Sequence, residues 1–146
     1  MTFTAGIKRT SIFAATIVLS LAATATANAA CSNPAAPNVN WEGCNKYRAF
    51  LRGMNLSGAK LSGANLISTD LYKADLRKAD LTLANLRYAQ LDSANLSGAD
   101  LTNAFLRSAD LRNANLTGAV LSGADLSWAI WIDGRKCAKG SIGVCN

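Results

Sequence analysis

Leucine stands at every fifth position from Leu51 to Leu126, sixteen times without a gap. The residue two before it is alanine in fourteen of the sixteen units, Met54 and Thr69 being the exceptions. The residue between them is Asp or Asn in eleven, and the two residues after leucine are small or polar, often Ser-Gly or Thr-Gly. Neither regular element can use this spacing. Five residues carry an α-helix about 140° past a full turn, so the leucines would wander around its surface. In a strand, a step of five alternates faces. Within one unit, however, Ala-x-Leu is a fragment of period-two alternation: alanine and leucine share a face and the residue between them points the other way. The next two residues must turn the chain, because the following alanine faces inward again. Glycine there, as at Gly53, Gly98 and Gly123, suits dihedrals that other residues resist. Each unit is thus a short side and a corner, and its repetition coils into a tube lined with leucine and alanine.

The segments "ANLSGADLTNA" (94–104) and "ADLRNANLTGAVLSGADL" (109–126) resemble the pentapeptide repeat family, whose consensus is A-(D/N)-L-x-x. The resemblance spans about 80 residues in one unbroken frame. It implies an all-β fold: a right-handed, four-sided parallel β-helix with four units per coil and about four regular coils. At the usual strand spacing the regular rod would be roughly 20 Å long. Stacked coils bury leucines that one coil cannot bury alone, and the two open ends require caps.

Tryptophan occupies the leucine position just outside the regular frame, at Trp41 and Trp131, and is expected to plug the ends of the tube. Lys46 breaks the frame between Trp41 and Leu51, so the first coil is expected to be irregular. Four cysteines allow three pairings. Cys31 and Cys44 precede the repeat; Cys137 and Cys145 follow it. The rod implied by the resemblance holds these two groups roughly 20 Å apart, beyond the ~7 Å that a disulfide spans between Cα atoms. The expected pairs are Cys31–Cys44 and Cys137–Cys145, each pinning one cap. The ending "WIDGRKCAKGSIGVC" also resembles the endings of exported members of the family.

Outside the repeat, residues 1–29 read as a secretory signal peptide. Lys8 and Arg9 precede an apolar run from Ser11 to Ala23, too short to cross a bilayer, and Ala27-Asn28-Ala29 fits a cleavage site. Lipidation of Cys31 is disfavoured, because Asn28 stands where a leucine-like residue is usual and an odd number of thiols would remain. The organisation expected is a leader at 1–29, an N-terminal cap at 30–48, the β-helix at 49–131 and a C-terminal cap at 132–146. Two disulfides and a leader point to a periplasmic or secreted bacterial protein with no transmembrane segment in its mature form.

The whole chain carries a net charge of +6. Without Lys8 and Arg9 the remainder has 13 Lys and Arg against 9 Asp and Glu, a net +4. This balance disfavours the family's best-known activity, in which a negatively charged rod mimics DNA and shields a topoisomerase from quinolones. A weak nucleic-acid or anionic-surface binder remains a further alternative, since the mild positive charge favours loose association with anionic envelope surfaces but is weak for nucleic acid. No histidine is present. The aspartates are spread by the fold over a convex surface and the serines sit in turns, so no nucleophile-and-base constellation forms. No enzyme, cofactor or metal site is expected. With four units per coil, residues 20 apart stack in columns. One column reads Ile67, Arg87, Arg107, Ser127 and its neighbour Ser68, Tyr88, Ser108, Trp128; Phe105 faces outward on the same side. Arginine beside exposed aromatics is a composition enriched in binding surfaces. Arg87, Tyr88, Phe105, Arg107 and Trp128 form the candidate interaction face for an unknown protein or envelope component. The function expected is a non-enzymatic exported scaffold.

Overall fold

The computed structural model describes residues 30–146; the leader reading falls on residues 1–29, outside the described residues. From Asn40 to Asp110, every residue just ahead of a leucine position forms a parallel bridge with the residue 20 further on. Four ladders result. Asn40, Lys60, Asp80, Asp100 and Val120 run up the first side, and Asn45, Asn65, Asn85, Phe105 and Asp125 up the second. Phe50, Asp70, Gln90, Asp110 and Ile130 form the third, and Asn55, Asp75, Asn95 and Asn115 the fourth. One circuit therefore takes 20 residues around a four-sided section. Each side supplies one isolated bridge per circuit instead of an extended strand, since a corner follows after three residues.

Two sets of backbone hydrogen bonds hold this arrangement. Between circuits, the Leu91 N–H donates to Asp110 O at 2.8 Å, and the Asp110 N–H donates to Ala89 O at 3.0 Å. At the corner, the Ala94 N–H donates to Leu91 O at 3.0 Å. The third corner residue has a positive φ, as a type II turn requires. Glycine is not the sole occupant: Leu83, Tyr88 and Trp128 adopt φ of 58°, 59° and 61°.

The Asp and Asn preference has a physical cause. The side-chain oxygen accepts the N–H of the residue two further on, at 3.1 Å for Asn95 and Ser97, 2.9 Å for Asp100 and Thr102, and 3.0 Å for Asp125 and Ser127. That N–H has no backbone partner. The short polar side chain closes an Asx turn at the corner, so these residues point outward and then back onto their own chain. Arg77 beside Asp75, Thr102 beside Asp100 and Arg112 beside Asp110 hold those carboxyls below the usual carboxylate range, chiefly by hydrogen bonding.

The leucines from Leu56 to Leu111 and the alanines between them are buried. Thr69 replaces one alanine; its hydroxyl donates to Lys46 O at 3.0 Å.

The N-terminal circuit differs from the expected irregular coil. Residues 40–48, assigned above to the cap, carry the same bridges and turns, and Lys46 N–H donates to Asn65 O at 2.8 Å in the ordinary pattern. Lys46 fits in the leucine position because its ammonium is satisfied: it donates to Cys31 O at 2.7 Å and lies 3.7 Å from the centre of the Trp41 ring. Burial pushes its pKa down. Trp41 is 1% exposed and donates from Nε1 to Asn33 O at 3.1 Å, so it closes this end. Trp131 is only partly buried. Cys31 and Cys44 are joined, with Cα atoms 5.4 Å apart, and so are Cys137 and Cys145, at 4.9 Å.

The C-terminal tail folds back over two sides. Ile142 pairs antiparallel with Asp125, and Lys136 with Ile130. Above Asn115 and Val120 no bridge follows among the described residues. Among the described residues no helix is long and apolar enough to cross a membrane.

Candidate interaction face

The second side carries asparagine at Asn45, Asn65 and Asn85, then Phe105 and Asp125. Asn65 Nδ2 donates to Asn45 Oδ1 at 3.1 Å, so the lower part of this side is a short amide ladder. The upper part changes character. The Arg87 guanidinium lies 5.4 Å from the Phe105 ring centre, and the Arg107 guanidinium 4.6 Å from that of Trp128. Arg107 also approaches Asp125 at 3.9 Å. Four of the five face residues named from sequence thus form two arginine–aromatic pairs on neighbouring circuits.

Tyr88, the fifth, sits on the corner beside them and is 62% exposed. Its backbone N–H donates to Arg107 O at 3.1 Å, which fixes the corner in register with the circuit above. Phe105 is 38% exposed because it cannot close an Asx turn and stands out where neighbours fold back. Arg87 Nε is buried without a hydrogen-bond partner among the described residues. Arg107 retains exposed surface and one weak ion pair.

Leu83 was not among the sequence-predicted residues. It occupies the opposite corner of the same side, 55% exposed, in a positive-φ position. A leucine outside the five-residue frame was the available signal. The basic cluster at Lys73, Arg77 and Lys78 is partly neutralised, since Arg77 pairs with Asp75 at 2.8 Å. No group of His, Cys, Asp or Glu among the described residues could hold a metal ion.

The family model for pentapeptide repeats matches in 8 copies, over residues 49–87, 59–98 and 94–130. The chain is a pentapeptide repeat protein. Such proteins are right-handed quadrilateral β-helices, which agrees with the four ladders. Among solved structures, this chain is similar to a pentapeptide repeat protein from the thylakoid lumen of Arabidopsis thaliana. The identity is 34%, the TM-score 0.59, and the match covers 60% of this chain and 61% of that one. It is similar also to a pentapeptide repeat protein of the cyanobacterium Cyanothece 51142, with 39% identity, a TM-score of 0.64 and 66% of each chain covered. The match therefore spans somewhat less than two thirds of the length of either relative. No match is found among curated proteins.

Proposed function

We propose that this pentapeptide repeat protein is a non-enzymatic exported scaffold of the bacterial envelope, periplasmic or secreted. On this reading it is a disulfide-capped rod of about four regular coils whose second side binds a partner protein. The observation that carries the reading is the two pairs, Arg87 with Phe105 and Arg107 with Trp128, beside the exposed Tyr88, set on an otherwise amide-lined side. Stacked arginine presents a planar, weakly hydrated cation that a partner desolvates at small expense. Export is supported by the leader pattern and the two disulfides. The solved relative from a thylakoid lumen is an analogy in the same direction. The basic balance of the chain beyond residue 29 counts against a DNA-mimicking, topoisomerase-binding role.

The test removes the face without touching the core. Tyr88→Ser combined with Arg107→Ser uses a residue already present in the same corner columns, at Ser68, Ser108 and Ser127. The circular dichroism spectrum and melting temperature should stay as in the unmodified protein. Partners found by crosslinking and mass spectrometry in the native envelope should be lost. Retention of every partner by the doubly substituted protein sinks the proposal.

A further inference from the structure

The two ends of the rod are not equivalent, and the N-terminal rim has a use that the second side does not explain. The segment 30–38 packs beneath Trp41 and Cys44, and its Asn38 N–H donates to Ser57 O at 2.8 Å under the corner that follows the fourth side. The lowest member of each ladder, Asn40, Asn45, Phe50 and Asn55, has no bridge partner beneath it among the described residues. At this rim Phe50 is 88% exposed, the highest value for any large apolar residue described, and Met54 is 43% exposed; Tyr47, at 48%, stands on the adjoining corner. None of these is dictated by the repeat. Phe50 stands in an Asp/Asn position and Met54 in an alanine position.

The charge follows the same polarity. Residues 30–77 hold six Lys and Arg against three Asp and Glu, whereas residues 78–146 hold seven against six. Around the rim Arg48, Arg52 and Lys60 are exposed, with Glu42 and Asp70 opposing them. Arg52 lies 4.1 Å from the Tyr72 ring centre and 3.3 Å from Asp70, and Arg48 lies 5.0 Å from the Tyr47 ring centre, so two of the three cations sit beside aromatic rings. Cys31 anchors the chain at this same end: it is bonded to Cys44, and its carbonyl accepts from Lys46. The opposite end offers Ile132, Ile142 and Val144 with Lys136 and Lys139, and residues 132–146 hold no aromatic side chain.

We propose that the N-terminal rim is a membrane-contact surface that seats the rod end-on against an anionic bilayer, with Phe50, Met54 and Tyr47 entering the headgroup layer and Arg48, Arg52 and Lys60 meeting lipid phosphates. Aromatic rings favour the boundary between headgroups and acyl chains. Basic residues within a Debye length of anionic lipids strengthen the contact. The inference rests on the export reading, which places the protein beside envelope membranes, and is independent of the second side. End-on seating leaves the Arg107 and Trp128 pair pointing sideways, away from the lipid.

The test uses the chain after removal of residues 1–29, whose apolar run would itself enter lipid, with vesicles of phosphatidylcholine containing 30% phosphatidylglycerol, and with vesicles of phosphatidylcholine alone. Benzoylphenylalanine is placed at Phe50 or at Ile142, and light-induced crosslinks are identified by mass. The expected result is lipid attachment from position 50, several times stronger with the anionic vesicles, and little from position 142. Arg48→Gln with Arg52→Gln should reduce the attachment at position 50 by roughly tenfold or more, from the known strength of basic residues at anionic surfaces. Equal yields at the two positions, no lipid product from position 50, indifference to the charge substitutions, or attachment of position 50 to a second protein copy each overturns the proposal. Failure here would leave the partner-binding test of the second side untouched.

Discussion

Lys46 shows how one residue can violate a repeat and still belong to it. Sixteen leucines define the position, and a lysine there reads in sequence as a break. The structure seats its stem along the core, its ammonium on the Cys31 carbonyl and its charge over Trp41. Neither contact is legible in the sequence, because both depend on the path of a cap that the repeat does not specify. The consequence is a pH dependence of definite sign. Burial lowers the folded-state pKa below the 10.5 of the free side chain. Between the two values the unfolded chain holds more protons, so stability rises as pH climbs through that window. The difference in urea midpoint between the unmodified protein and Lys46→Met should grow in favour of the unmodified protein from pH 8 to pH 11. A flat difference would mean that the ammonium is fully hydrated in the fold.

At the scale of one side and one corner, the leucine and alanine positions were legible almost completely. A strict period leaves only one geometry in which they share an interior. The Asp and Asn preference was legible as a pattern but not as a cause. Its cause is the corner N–H that no neighbouring circuit reaches, and each Asx turn supplies the missing acceptor. Asn95→Ala should therefore reduce stability by about 1 kcal/mol in chemical denaturation, the usual net worth of such a bond. Gln90 stands in an equivalent position with no such bond to Asp92. Gln90→Asn should raise stability by up to a similar amount. If both substitutions leave the midpoint unchanged, water serves the corner as well as the side chain does. Leu83 illustrates the limit of pattern reading: in a corner slot any residue fits the frame, and only its exposure marks it as part of a surface.

At the scale of the whole molecule, the circuits touch only their neighbours, so stability is distributed along the axis. The candidate face was legible because stacking at 20 residues follows from four units per circuit. The ends were not, since residues beyond the frame obey no period. The tail is held on Asp125 and Ile130 by antiparallel pairing and by the Cys137–Cys145 bridge. Replacing both of these cysteines with alanine should raise amide hydrogen exchange at Leu126 and Trp128, whose N–H groups donate to the tail, by tenfold or more. Exchange at Leu71 and Leu76, deep in the rod, should be unchanged. Uniform acceleration along the chain would show that the rod opens as one cooperative unit.

The direction of the tail has a further consequence. Each rung of this rod is a template for one more rung running the same way, and a second molecule arriving at the C-terminal end would find four ledges on which to continue. The tail occupies two of them with backbone of the opposite sense, and an incoming parallel coil cannot seat on half a square. A coil continuing the rod in the parallel sense would first have to displace this antiparallel tail from the second and third sides.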